Sequence, residues 1–501
     1  MKIAFLYPQW TGGYGVFGHF ARRQSKWPPI NLALLAAIVE ECGHEAVIID
    51  GEVLCLSEEK MVELTMQYKP DLIGLTCYSP FFHLNVDLAK ALKEAGCKAP
   101  ICVGGPHITI TQKKILEDIP YFDYLFIGEA EASLPRFLDV FGKGGDVSQI
   151  KGIALRKNGI PTDGEPQWIE TKIITKGNNL GQEYSLDQFP FPARHLLPMR
   201  KYKIGTKHGR MAFTSIQSMR GCPWKCIFCA SDKLNTTRMA LRSPESLVDE
   251  IEEVIARYGV KHLYFVDDVL TLWPDHITAI CKLIISRDIK ITFEGSTRAH
   301  LVEDELFRLM AQAGLVRLSF GLETVNEEMR KIMKKQVMLK HYSEANRICN
   351  KYGIEAINSC IIGLPGETRE TFKELLDFLL DNRHVSQANF AIAVPYPGTE
   401  LSDMAMNGTH GIQLLTKEGD FSKYLRYGSA VTQVGELTPK DLLGMQNEAF
   451  LLFYSRPWRW PAMFKKHGLM GFVLLGLRKY RYWKAKRTGN YTPVYDHPKD
   501  Y

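Results

Sequence analysis

Three cysteines stand close together in the run Arg220-Gly221-Cys222-Pro223-Trp224-Lys225-Cys226-Ile227-Phe228-Cys229. Their spacing is C-x3-C-x2-C. Gly221 and Pro223 break regular structure, so the run reads as a loop that can wrap a ligand. Three thiolates on a short loop suit an iron–sulfur cluster, whose usual protein ligand is cysteine. Three ligands in place of four leave one iron open, and an open metal position can act on a substrate. A structural zinc site calls for a fourth ligand, usually from a second Cys or His pair. Here the nearest upstream histidine is His208, and the next cysteine downstream is Cys281.

The elements around this loop set its context. A strand-like run, 213–218, leads into it. Five further strand-like runs follow at 262–266, 290–294, 315–320, 355–361 and 387–393, with helical patterns between them. Ser243-Pro244-Glu245 is one helix start: a capping residue, proline at the first position and an acid in the first turn. Six β/α units predict a partial (β/α)6 barrel over 205–400. Sites in such barrels lie at the carboxyl ends of the strands. Asp267-Asp268, Ser296-Thr297-Arg298, Gly321–Thr324 and 362–368 fall there.

Cys222, Cys226 and Cys229 after a first barrel strand resemble the signature of radical S-adenosylmethionine (radical SAM) enzymes. The resemblance implies a 4Fe–4S cluster on these three residues, with SAM's amino and carboxylate groups chelating the fourth iron. One electron then cleaves SAM to a 5′-deoxyadenosyl radical, which takes hydrogen from an unactivated carbon. Gly321-x-Glu323 is similar to the family's strand-four SAM motif, and Ile361-x-Gly363-x-Pro365-Gly366-Glu367 to its strand-five motif. On this reading Asp267 or Asp268 accepts from the SAM amino group. Arg298 forms a two-pronged pair with its carboxylate. Glu323 takes the ribose hydroxyls, and Gly363 and Pro365 give flat backbone for adenine.

Residues 1–145 alternate strand and helix five times, which predicts a doubly wound parallel sheet. Ligands of such sheets bind beyond the strands' carboxyl ends. Those ends are Pro8, 76–80, 104–107 and 128–131. No G-x-G-x-x-G follows the first strand, which disfavours a dinucleotide. The opening strand and proline, Pro28-Pro29, Gly104-Gly105-Pro106-His107 and Gly128-Glu129-Ala130-Glu131 resemble the cobalamin-binding domain of one radical SAM class. That class includes the anaerobic magnesium-protoporphyrin ester cyclase, hopanoid-modifying enzymes and many carbon methylases. The matching positions are Tyr78, Ser79, Gly104, Gly105, His107, Gly128, Glu129 and Glu131. The D-x-H-x-x-G motif that ligates cobalt in the mutases is absent, so His-off cobalamin is expected. His107 then touches the ligand's periphery or caps the next helix. Residues 146–204 read as a connector, and 401–501 as a small, mostly helical C-terminal domain.

The 11 cysteines are an odd number and spread out, and Met1-Lys2 runs straight into a strand with no signal peptide. Both features predict a cytoplasmic protein with free or metal-bound thiols. The net charge of +6 is uneven: residues 451–501 hold eleven Lys and Arg against two Asp. The apolar run 468–477 is too short to span a bilayer. With the basic, aromatic run behind it, 468–487 fits either a helix on an anionic membrane surface or a core helix with a solvated basic end. No nucleic-acid recognition motif accompanies the charge. The expected activity is C-methylation of a hydrophobic small molecule, a lipid such as a hopanoid or a tetrapyrrole. The alternative is oxidative cyclisation or rearrangement without methyl transfer. The resemblance further implies an external electron donor of the flavodoxin or ferredoxin type.

Overall fold

Two seven-stranded sheets carry the molecule in the computed structural model. The structure describes residues 1–11, 26–157, 160–169, 185–206, 208–235, 239–417, 419–461, 464, 468–489 and 491–494. The sequence from Trp10 to Trp27, rich in Gly, aromatics and Arg, reads as a loop and that over 167–174 as a strand; most of both lies outside the described residues.

The first sheet is built from β1 (Lys2–Tyr7), α1 (Ile30–Glu41), β2 (Glu45–Asp50), α2 (Glu58–Tyr68), β3 (Leu72–Thr76), α3 (Phe82–Glu94), β4 (Ile101–Gly104), α4 (Pro106–Thr111), β5 (Tyr124–Phe126) and α5 (Ala130–Gly142). β1 to β5 run parallel in the order β2-β1-β3-β4-β5, the doubly wound sheet expected. Ile3, Ala4, Phe5 and Leu6 are all buried, because helices cover both faces of a parallel sheet. β6 (Ile153–Lys157) extends the sheet antiparallel to β5, and β7 (Ile160–Pro161) pairs antiparallel to β6. The module therefore runs past the expected boundary at 145, into the segment read as connector.

The second sheet opens with β8 (Lys203–Thr206), antiparallel to β9 (Gly209–Ile216). It continues through α6 (Pro244–Tyr258), β10 (His262–Phe265), α7 (Pro274–Ser286), β11 (Thr292–Thr297), α8 (Asp304–Ala313), β12 (Leu315–Glu323), α9 (Leu339–Lys351), β13 (Glu355–Ile362), α10 (Arg369–Asp381) and β14 (Gln387–Ile392). The order β14-β13-β12-β11-β10-β9-β8 gives six parallel strands, as six β/α units require, closed off by β8. Ser243 caps α6 by accepting from Ser246 N, with Pro244 at its first position.

Downstream lie α11 (Glu400–Asn407), the hairpin of β15 (Ile412–Leu414) and β16 (Thr432–Val434), α12 (Pro439–Tyr454) and α13 (Leu469–Arg487). α12 is no satellite: Leu442, Met445, Ala449, Leu452 and Phe453 join the barrel's main core and lie against β14 and α10. The same core reaches one face of the first sheet through Ala193, Leu197 and Tyr202 of the connector. Arg194 anchors that connector. It is fully buried, paired with Glu250 at 2.6 Å, and donates to Thr214 Oγ1 and Ser215 O. The Tyr202 hydroxyl donates to Asp50 of the first module at 2.5 Å.

Candidate active site

The cysteine loop leaves β9 through a turn held by two acids. Asp267 accepts from Ser218 N at 2.7 Å, from the Ser218 hydroxyl at 2.5 Å and from Met219 N at 3.1 Å. Its carboxylate is buried and spent on this turn. Asp268 accepts from Gly221 N at 2.8 Å and is exposed at the barrel mouth. The sequence leaves the two acids equivalent, whereas the fold buries Asp267 as a fastener of the loop and leaves Asp268, which also accepts from the Ser231 hydroxyl at 3.4 Å, exposed.

Cys226 is buried, and Cys222 and Cys229 are half-buried. Burial pushes the Cys229 thiol up to about 11, with the neighbouring Cys226 and Cys222 adding to the effect. Cys222 is raised by the same main cause. A bound metal would reverse this by deprotonating the thiols outright. Among the described residues the three sulfurs do not converge as a cage for one ion.

Above them lies Arg298, at the end of β11. Its guanidinium stacks on Trp224 of the loop at 4.1 Å, and Nη1 is 3.8 Å from Cys226 Sγ. Nε and Nη2 are buried with no hydrogen-bond partner. Buried donors are otherwise paired almost without exception, so this unmet fork fits a carboxylate ligand beside the cysteines. Trp224 also meets His300 edge-on at 5.5 Å.

Glu323 ends β12 with φ +61°, a strained conformation for a side-chain-bearing residue. Its Oε1 is 3.1 Å from Lys335 Nζ, and both side chains are less than a tenth exposed. The pair folds over Gly321, where a Cβ would lie 2.4 Å from Glu323 Oε1 and 2.7 Å from Lys335 Nζ. Glycine in the Gly321-x-Glu323 motif therefore makes room for the ion pair. Lys335 had no signal in the sequence; it is the second lysine of a pair between helices.

The loop after β13 turns at Gly363, φ +88°, with Leu442 of α12 packed beneath. Glu367 accepts from Gly363 N at 2.5 Å and from Leu364 N at 3.3 Å. Burial outweighs these bonds and pushes its carboxyl up to about 7. The folded state thus favours the protonated form. The stability Glu367 contributes is full below its usual 4.5 and is lost as the pH rises to 7. Glu367→Gln keeps an acceptor without the charge. It should gain up to about 3 kcal/mol on the wild type between pH 5 and pH 8, read from unfolding curves at both.

Facing the barrel, the first sheet's carboxyl edge borders a cavity of about 520 Å³. Tyr78, Gly104, Gly105, Gly128, Glu129 and Glu131 line it, together with Ser215, Gln217, Arg220 and Val266 from the barrel. Its inner end is an apolar slot between the sheet and α1 and α5, bounded by Phe5, Leu32, Gly74 and Leu134. Gly105, at φ +98°, lets the chain pass so close to Cys77 that a Cβ would sit 2.9 Å from its carbonyl oxygen. A tight backbone edge above a deep apolar slot fits a large planar ligand with an aromatic tail.

Two expected cofactor contacts are placed elsewhere. Ser79 and His107 do not line the cavity. They pair with each other, Ser79 Oγ to His107 Nδ1 at 2.9 Å, and the ring packs between Phe82 and Phe421. Burial pushes His107 down to about 4, so it is neutral. Glu129 and Glu131 do reach the cavity, but their carboxylates are committed to Arg220.

Residues 216–379 match the sequence profile of the Radical SAM superfamily, and residues 19–138 that of the B12 binding domain. The chain therefore carries a radical SAM domain and a B12-binding domain, and its cofactors are a 4Fe–4S cluster, SAM and cobalamin. It is 28% identical over 430 residues to an uncharacterized methyltransferase of Pyrococcus horikoshii, covering 86% of this chain and 88% of that one. It is 26% identical over 411 residues to the anaerobic magnesium-protoporphyrin IX monomethyl ester cyclase of Rubrivivax gelatinosus, covering 80% and 69%. Among solved structures it is similar to the radical S-adenosylmethionine methyltransferase TsrM from Kitasatospora setae, solved with cobalamin and a 4Fe–4S cluster. That match has a TM-score of 0.71 at 16% identity over 97% of this chain and 99% of that one.

Proposed function

We propose that the protein methylates an unactivated carbon of a hydrophobic small molecule. The observation that carries this is a cavity shared between the first sheet's edge on one side and barrel residues next to the cysteine loop on the other. When bound, the cluster and SAM supply a 5′-deoxyadenosyl radical, and cobalamin supplies the methyl group. The chain's part is to bind, orient and exclude water. Cys222, Cys226 and Cys229 hold the cluster. Arg298 takes the SAM carboxylate and Asp268 its amino group. Glu323, oriented by Lys335, takes the ribose hydroxyls, and the backbone around Gly363 and Pro365 lies against adenine. Tyr78, Gly104, Gly105 and Gly128 border the corrin, and the apolar slot takes its nucleotide tail. An external one-electron donor, of the flavodoxin or ferredoxin type, is required. The test uses SAM labelled with ¹³C in its methyl group and a lipid and tetrapyrrole extract under reductant. Label in a hydrophobic product is expected. 5′-Deoxyadenosine formed without label transfer would favour oxidative cyclisation instead.

The C-terminal helix supports a membrane-facing role for a protein with such a substrate. Leu469, Val473, Leu477, Tyr480 and Trp483 lie on one face of α13 and are all exposed. Trp458, Trp460 and Phe464 are exposed nearby. Lys479, Arg481, Lys484, Lys486 and Arg487 supply positive charge on the same helix. Among the described residues no helix is long and apolar enough to cross a membrane. An apolar, aromatic stripe with a basic end instead suits the surface of an anionic bilayer. The protein should co-sediment with vesicles containing phosphatidylglycerol and not with neutral ones. Val473→Glu with Leu477→Glu should abolish this; undiminished sedimentation of the double variant would sink the idea.

A further inference from the structure

Arg220 joins the two cofactor modules at the cavity wall. It lies two residues before Cys222, in the short stretch Met219–Arg220 between β9 and the cysteine loop. Nη1 donates to Glu129 Oε1 at 3.0 Å, Nη2 to Glu131 Oε1 at 2.8 Å, and Nε to Gln217 Oε1 at 2.7 Å. One guanidinium thus spans the end of a barrel strand, the cluster loop and the carboxyl edge of the first sheet. Arg220 and Glu129 are 17% exposed and Glu131 12%, so the contacts are shielded from solvent and salt.

Each end of this link is itself held. On the barrel side, Asp267 and Asp268 accept from the backbone of Ser218, Met219 and Gly221, on both sides of Arg220. On the sheet side, Glu129 Oε2 accepts from Ile169 N at 2.6 Å, and Glu129 N donates to Gln167 O. The modules also dock at other points, through Tyr202 on Asp50 and, at another part of the cavity wall, through Trp27 on Tyr264 at 4.5 Å. Arg220 is therefore not needed to keep them together. What it adds is direction: a planar fork bonded to carboxylates two residues apart resists both sliding and tilting, which an ammonium on a flexible stem does not.

We infer that Arg220, gripped by Glu129 and Glu131, is a positioning residue that fixes the separation and tilt of the cluster and cobalamin across the cavity. The inference rests on the two-cofactor reading above. It also gives Glu129 and Glu131 a task other than touching the corrin. Transfer between cofactors depends on sub-ångström alignment, so a loosened clamp would leave each cofactor bound while spoiling their alignment.

The test is electron paramagnetic resonance of the full chain, with the cluster reduced and the cobalamin held as cob(II)alamin. In the wild type the two spins should interact with one well-defined strength. Arg220→Ala and Glu129→Gln/Glu131→Gln should each bind both cofactors at wild-type stoichiometry, yet show the interaction weakened and spread over a range. Arg220→Lys should not restore it, and combining both sets of changes should add nothing to Arg220→Ala alone. The glutamine variant lies outside the cluster loop, so it remains informative if Arg220→Ala loads its cluster poorly. An unchanged interaction in fully loaded variants would overturn the clamp. So would loss of cobalamin from the glutamine variant alone, which would make the glutamates direct cofactor contacts. A wild-type chain that takes up only one cofactor would instead overturn the two-cofactor reading.

Discussion

Cys226→Ala should abolish reductant-dependent cleavage of SAM while leaving the fold and cobalamin uptake in place. Cys226 is buried at the centre of the triad, beneath the Arg298 guanidinium. A cluster held by three thiolates has no spare ligand, so removing one should cost the cluster itself. The expected fall in 5′-deoxyadenosine formation is at least about 10³-fold, as for other groups that act as a unit. Loss of one buried sulfur should lower stability by only about 1–2 kcal/mol, through the small cavity it leaves. Cys55→Ala is the natural control. Cys55 is exposed and lies in the other module, so iron content and SAM cleavage should stay at wild-type levels. Full iron loading and turnover in Cys226→Ala would refute the cluster assignment.

Arg298→Ala should weaken SAM binding about 100-fold, since two charge-assisted bonds of about 1.5–3 kcal/mol each are at stake and truncation rarely costs the full sum. The apo protein should behave in the opposite way. Nε and Nη2 have no hydrogen-bond partner there, so removing a buried guanidinium with two unmet donors should leave stability unchanged or raise it, the lost contact with Trp224 notwithstanding. That opposition separates a binding residue from a structural one. Arg298→Lys keeps the charge without the fork and should recover only part of the affinity. Equilibrium binding of SAM to the anaerobic, cluster-loaded protein, together with urea unfolding of the apo protein, reads both. A destabilised apo variant with unchanged SAM affinity would make Arg298 a structural group.

The two modules and the cysteine loop were legible because their signals are local. Spacing carries the C-x3-C-x2-C loop, and alternation of apolar runs with capped helices carries the parallel sheets. That β6 and β7 join the first sheet was not legible, because antiparallel pairing of β6 to β5 and of β7 to β6 depends on turns and an open edge and not on periodicity. Nor was the burial of α12. Its sequence reads as one more helix, and only the open flank of an incomplete barrel makes it core. Among the site residues, strand-end position was readable and partner choice was not. Asp267 and Asp268 are adjacent and chemically identical, and the path of the turn at Ser218 decides which one is consumed. Glu129 and Glu131 look like ligand contacts until Arg220, about ninety residues away in sequence, is folded against them. Lys335 carries no mark at all until Gly321 leaves room for it.

The central claim is that one chain brings SAM cleavage and methyl transfer together. It is tested most directly by anaerobic reconstitution with iron, sulfide and hydroxocobalamin, followed by SAM and a strong reductant, with mass spectrometry of the small molecules. The account predicts both 5′-deoxyadenosine and S-adenosylhomocysteine from the wild type. It predicts no 5′-deoxyadenosine from Cys226→Ala, with any remaining S-adenosylhomocysteine traceable to slow methylation of cobalt. Neither product from a wild-type chain carrying both cluster and cobalamin would contradict it.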